Sequence, residues 1–283
     1  MSCAKLYLSL GAKKRNITML DSKGVINNCR KNLSDEKVFF ATDKNITTIE
    51  EAISGADFFL GLSSGNIVSK DMIRSMADKP IVFALANPDP EISYNDAISA
   101  RKDIIMATGR SDHPNQVNNV LGFPYIFRGA LDVRATCINE AMKLAAVRSI
   151  AELTKEVVPD TVNLAYGEKV ITFGPEYIIP KPLDSRLISV VAPAVAKAAI
   201  ESGVSQIKIS DFDAYAQELN KRLGLDNKLV RRITTQAKRQ PKRVVFAESE
   251  HYKILKAAQE VKDEGIAIPI LLGREAKIKQ LIK

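Results

Sequence analysis

Over roughly the first 155 residues, short apolar runs alternate with stretches of helical spacing. Cys3–Leu10 reads as a helix that leads through Gly11 into a β-branched, apolar strand, Ile17–Leu20, ending at the acid Asp21. Phe58–Leu62, Ile81–Leu85 and Asp103–Ala107 are further strands, with a helix over Lys70–Ala77. Short apolar strands separated by helices predict a parallel sheet covered on both faces. Cys137–Thr154 carries Ala and Leu at helical spacing and predicts a long helix. Pro159–Pro182 reads as irregular. Asp184 then stands at the start of an apolar helix, Leu187–Glu201, which Gly203 ends. Two more helices follow, over Asp211–Leu223 and Asn227–Arg239. Beyond Pro241, the pattern Arg243–Ala247, Tyr252–Lys262 and Ile268–Leu272 predicts a fresh β-α-β unit.

The fold class expected is α/β: a Rossmann-type doubly wound parallel sheet, a helical connector, then a partial second α/β unit. Asp21 holds the place of the acid that follows a glycine-rich phosphate turn by about 20 residues. Counting back puts that turn at or before Met1, so the first strand and glycine loop are expected to be missing. At the other end, about 43 residues cannot build a stable α/β domain alone. The chain is thus expected to begin inside one domain and end inside another. The predicted division is a nucleotide-binding domain over 1–205, a connector over 206–240 and the second unit over 241–283.

Composition narrows the class. At 283 residues and 46% hydrophobic content the chain can bury a core. No apolar run approaches the roughly 18 to 20 residues that span a bilayer, and no signal peptide is evident. Cys3, Cys29 and Cys137 lie far apart without metal-like spacing, as reduced thiols in a cytoplasmic protein would. Much of the net charge of +8 collects between Lys228 and Arg243, a stretch without an acid. A solvated helix face explains that run better than nucleic-acid binding, because no nucleic-acid motif accompanies it. No membrane or nucleic-acid partner is expected.

In open parallel sheets ligands bind beyond the carboxyl ends of the strands. The loops there read Asp21-Ser22-Lys23-Gly24, Ser63-Ser64-Gly65-Asn66, Ala86-Asn87-Pro88-Asp89-Pro90-Glu91 and Thr108-Gly109-Arg110-Ser111-Asp112. All are polar or glycine-bearing, as close approach to a dinucleotide requires, although strand-to-helix turns are commonly polar too. Asp21 would accept hydrogen bonds from ribose hydroxyls and favour NAD. Lys23 or Lys37 could instead balance a 2′-phosphate, which leaves NAD against NADP open.

DSKGVI (21–26), FALANPDPEI (83–92), TGRSDHPNQVNNVLGFPYIFRGALD (108–132) and FGPEYIIPKPLDSRL (173–187) together resemble the cofactor domain of bacterial malic enzymes. PKRVVFAESE (241–250) resembles the opening of a phosphate acetyltransferase-type domain. That order of parts is the order found in the hybrid malic enzymes of bacteria. The resemblance implies an oxidoreductase that converts malate to pyruvate and CO2 with NAD(P)+ and Mg2+ or Mn2+. It also implies a homo-oligomer. The family's catalytic Tyr/Lys pair and acidic metal ligands lie before or at the start of the cofactor domain and match no position here. No catalytic or metal-binding residue is therefore expected in this chain, which is expected to be inactive alone.

By the same resemblance, Asp21, Ser22, Lys23, Ser63, Gly65 and Asn87 bind the cofactor, and Asn87, Asn118 and Asn119 meet the substrate. An amide can both donate and accept, which suits a carboxamide or a carboxylate; Asn-Pro and Asn-Asn are also ordinary turn residues. His113 is expected to pack or lie at the surface. Arg110 and Arg128 either steer a dicarboxylate or form structural ion pairs. The competing class is a noncatalytic nucleotide-binding or oligomerisation module derived from the same fold.

Overall fold

The computed structural model describes residues 1–167, 171–222, 233, 236–263 and 265–282. The chain divides into two compact units, Met1–Ala216 and Gln217–Lys283. That division falls inside the segment 206–240 read as a connector, and most of the expected helix Asn227–Arg239 lies outside the described residues.

The first unit opens with α1 (Ser2–Ser9), followed by a small hairpin of β1 (Leu20–Asp21) and β2 (Gly24–Val25). Two short helices, α2 (Asp35–Phe40) and α3 (Ile49–Ile53), lead to β3 (Phe58–Gly61). Then come α4 (Lys70–Arg74), β4 (Ile81–Ala84), α5 (Tyr94–Ala100) and β5 (Ile105–Thr108). Strands β3, β4 and β5 form a parallel sheet in that order, with Phe58, Ile81 and Ile105 in register. This is the α/β architecture expected, and its strands begin and end within two residues of the predicted runs.

Local chemistry starts the helices around these strands. Thr48 and Glu51 cap α3 reciprocally, and the Ser93 hydroxyl accepts from the Asp96 N–H at the start of α5. Ile53, Val68, Ile73, Val82, Ala97 and Met106 fill the sheet core and are almost fully buried. Tyr7 of α1 meets Phe58 edge-on, and Phe58 meets Phe83 likewise, both at 5.5 Å. These T-shaped contacts dock α1 beside the sheet.

One element differs from expectation. Ile17–Leu20 is not a strand of the parallel sheet; Leu20–Asp21 pairs antiparallel with Gly24–Val25. β-Branched residues favour extended backbone, but a strand exists only where a neighbour completes its ladder. The Met19 carbonyl accepts the Ile26 N–H at 2.8 Å and extends the hairpin, and among the described residues no strand lies alongside Ile17 and Thr18. The reading of Pro159–Pro182 as irregular also needs amending, because α8 (Asp160–Ala165) begins there, with Pro159 at its N-cap.

A second core is purely helical. α6 (Phe123–Asp132), α7 (Glu140–Leu153) and α9 (Arg186–Glu201) pack around Met142, Ala146, Leu153, Leu187, Val191 and Val195, each 1% exposed or less. Asn139 caps α7 through the Met142 N–H. α10 (Phe212–Arg222) runs across the boundary between the units.

In the second unit, β6 (Lys242–Phe246) pairs in parallel with β7 (Ala267–Leu271) across α11 (Tyr252–Asp263), and α12 (Glu275–Ile282) follows. This is the β-α-β start read from the sequence. Glu250 joins the loop after β6 to α12, accepting from Arg274 at 2.8 Å and pairing with Lys277 at 3.0 Å.

Candidate cofactor and substrate site

The carboxyl ends of β3, β4 and β5 sit side by side, so the loops that leave them share one edge of the sheet. Ser63 and Gly65 lie on the first loop and Asn87 on the second. The two loops are laced together by backbone bonds, Asn66 N–H to the Pro90 carbonyl (2.9 Å) and Val68 N–H to the Glu91 carbonyl (3.0 Å). Gly65 is required by this lacing, since a Cβ there would lie 2.7 Å from the Asp89 carbonyl oxygen. Ser63 and Asn87 are exposed. Asn87 also faces the third loop, for a Cβ on Gly109 would stand 3.8 Å from its Oδ1.

The third loop turns back on β5, where Val117 N–H donates to the Thr108 carbonyl at 2.8 Å. Asn115 holds this return. Its Nδ2 donates to the carbonyls of Met106 (3.0 Å) and Pro175 (2.7 Å), and its Oδ1 accepts from Ile178 N–H (2.8 Å). Asn115 is 3% exposed and has a φ of +52°, a region that Asn tolerates better than most side chains. Asn115→Ala is expected to lower stability by about 2 kcal/mol, because two carbonyls and one N–H lose their buried partners. Urea denaturation of the two proteins measures it.

Asn118 and Asn119 lie beyond that return, exposed. Oδ1 of Asn118 accepts from Val120 N–H at 3.0 Å and so caps a short 3-10 turn over Asn119–Leu121. Part of its side chain thus serves the turn, and its NH2 group has no protein partner among the described residues. His113 stacks on Tyr94 with ring centroids 4.4 Å apart, a packing contact. Arg110 pairs with Asp112, whose carboxyl it pulls down to about 2, and Arg128 pairs with Asp132. Both arginines are therefore engaged in local ion pairs.

Asp21, Ser22 and Lys23, expected from the sequence to meet the cofactor, lie at the turn between β1 and β2. With Arg30, Lys31, Asn32, Leu33 and Lys37 they line an open cavity of about 270 Å3. Asp21 is already engaged. Arg30 grips both of its oxygens at 2.9 Å, Lys37 donates to Oδ2 at 2.6 Å, and the Lys23 N–H donates to Oδ1 at 2.9 Å. The Arg30 guanidinium, then Lys37, hold its carboxyl far below the usual carboxylate range. Two side-chain cations pair with the acid, Lys23 and Lys31 also line the cavity, and the lining carries net positive charge. Arg30 escaped the sequence reading; the only signal was a basic pair, Arg30-Lys31, nine residues after Asp21.

A dinucleotide carrying a phosphate fits this donor set, because the cations outnumber the acid they pair with. A divalent metal is not accommodated in the same way. Among the described residues no group of three or more His, Cys, Asp and Glu is placed to hold one. No helix among them is long and apolar enough to cross a membrane.

Comparison with known proteins identifies the family. Residues 3–165 match the family described as malic enzyme, NAD binding domain, and residues 228–283 match phosphate acetyl/butaryl transferase. The NADP-dependent malic enzyme of Salmonella typhimurium is 50% identical over the whole of this chain, which covers 38% of that protein. The NAD-dependent malic enzyme of Rhizobium meliloti is 46% identical over the same share and covered to 37%. Among solved structures, the malic enzyme of Pyrococcus horikoshii superposes with a TM-score of 0.65 at 30% identity, over 82% of this chain and 52% of that one. The chain spans less than two fifths of the length of these curated relatives, and with over half of it matched by the NAD-binding model, it belongs to the malic enzyme family.

Proposed function

We propose that this chain supplies the cofactor side of an NADP-dependent malic enzyme, in which malate is oxidised and decarboxylated to pyruvate and CO2. The observation that carries the choice of NADP is the grip of Arg30 and Lys37 on Asp21. A lone acid at this turn would bind the ribose 2′-hydroxyl and repel a 2′-phosphate. Here two side-chain cations neutralise the acid, and Lys23 and Lys31 stand beside it, so a 2′-phosphate meets net attraction.

When bound, the dinucleotide accepts hydride from the carbon bearing the malate hydroxyl. In this reading Ser63, Gly65 and Asn87 flank the nicotinamide ribose and ring, and Asn118 and Asn119 orient a substrate carboxylate. The Asn118 NH2 group, with no protein partner among the described residues, suits that role. Residues 1–205 form the cofactor domain, 206–240 connect, and 241–283 open the acetyltransferase-like domain. The reading places the whole enzyme in the cytoplasm as a homo-oligomer that works with Mg2+ or Mn2+.

Fluorescence titration of the 283-residue chain with NADPH and NADH tests the reading. NADPH is expected to bind at least about tenfold tighter, the value of one charge-assisted contact. Equal affinities would remove the 2′-phosphate assignment. With malate, Mn2+ and NADP+ the same chain is expected to show no turnover, and activity above background would place the reacting groups within it.

A further inference from the structure

Glu91 is 0% exposed, a charged side chain type enclosed at the edge of the parallel sheet that carries the candidate site. Its Oε1 accepts the Ser63 N–H at 3.0 Å and its Oε2 the Ala86 N–H at 3.1 Å. Each donor is the backbone of a different loop: Ser63 follows β3 and Ala86 follows β4. The room for the carboxylate comes from a glycine, because a Cβ on Gly61 would stand 2.2 Å from the Glu91 Cδ. A carboxylate is an acceptor on both oxygens, and no neutral side chain of that length offers two acceptors in one plane.

We propose that Glu91 is a positioning residue that clasps the loops bearing Ser63 and Asn87 at a fixed separation, so that they can receive the nicotinamide half of a dinucleotide. The inference rests on the cofactor reading above and adds a residue to it. Glu91 touches no ligand in this account. It acts through the backbone of Ser63 and Ala86, the latter adjoining Asn87. Burying a charge without compensation is costly, and two backbone N–H groups would lose their partners if the side chain were removed. A role in folding alone would lower stability without favouring one end of the site over the other; the two accepted N–H groups belong to two different site loops, which ties the side chain to their separation.

Glu91→Gln tests the clasp, since one oxygen becomes an NH2 group that faces an N–H. The readout is the ratio of two affinities on the 283-residue chain: NADPH, which spans both ends of the site, and adenosine 2′,5′-bisphosphate, which reaches only the Asp21–Arg30 end. Glu91→Gln is expected to weaken NADPH about tenfold and to leave the bisphosphate within about twofold. Hydrogen exchange at the Ser63 and Ala86 amides should quicken in the variant. Gly61→Ala, which displaces the carboxylate sterically and keeps its charge, is expected to change the ratio in the same direction and serves if Glu91→Gln does not fold. Unchanged NADPH affinity in a folded variant, or equal weakening of both ligands, overturns the proposal while the cofactor reading stands. Failure of the unaltered chain to bind either ligand overturns the cofactor reading and the clasp with it.

Discussion

Arg30→Ala is expected to weaken NADPH binding about 30-fold while changing NADH by no more than about threefold, because a guanidinium is worth about 2 kcal/mol to a phosphate it meets with two hydrogen bonds. The loss has two parts. On the NADP reading the variant removes a donor to the 2′-phosphate, and it strips Asp21 of the partner that grips both of its oxygens. Lys37 remains, with a single bond to Oδ2. The cavity then faces the phosphate with a more fully expressed negative charge. NADH, having only hydroxyls on that ribose, loses little. Parallel titrations of variant and parent settle it, and equal weakening of both nucleotides would make Arg30 a support of the β1–β2 hairpin rather than a selector.

The same ion pairs set an acid limit. The folded carboxyl of Asp21 titrates well below its unfolded value. Its contribution to stability is therefore present above the unfolded pKa of about 3.9 and is lost progressively as pH falls below it. Arg30→Ala should flatten that part of the stability profile. Salt should weaken the pairs only modestly, as Asp21 and Arg30 are each less than one-fifth exposed.

Gly129→Ala is expected to destabilise the first unit by about 3 kcal/mol or more, the cost of overpacking where neither partner can yield. Gly129 is the point at which α6 crosses α9. A Cβ there would lie 2.4 Å from the Ala192 carbonyl oxygen, 2.9 Å from the Val195 Cβ and 3.1 Å from the Ala196 N. Two of those atoms are backbone, so a rotamer change gives no relief and the helices must separate. Separation would loosen the contacts of Val191, Val195 and Ala196, all fully buried. Glycine is ordinarily a weak choice inside a helix, costing about 1 kcal/mol against alanine; close packing reverses the sign here. Urea denaturation followed by circular dichroism measures the change, and a variant as stable as the parent would show that the crossing has slack.

The parts of the molecule that were legible in the sequence are those whose cause is local. Strands β3, β4 and β5 announce themselves as short apolar runs, and α7 and α9 as long helical patterns, because burial imposes its period directly on neighbouring residues. The positions of Ser63 and Asn87 in loops after strands followed from the same reading, whereas Asn118 was named by the family resemblance. The β-α-β unit after Pro241 was legible for the same reason. Where the cause was remote the sequence was silent. Ile17 and Thr18 have strand composition yet no ladder, since pairing depends on a neighbour that composition does not supply. Arg30 meets Asp21 only because the chain after β2 turns back on the hairpin.

What the sequence determined by itself was the fold class, the order of its elements and the family, all written in periodicity and in contiguous motifs. Tertiary structure decided the charge of the cavity around Asp21, the enclosure of Glu91 between two loops and the anchoring role of Asn115. These depend on distances between residues far apart in the chain, such as 28 positions for Glu91 and Ser63 and 63 for Asn115 and Ile178. A hydrogen bond or ion pair acts over about 3 Å, and only folding brings such groups within that reach.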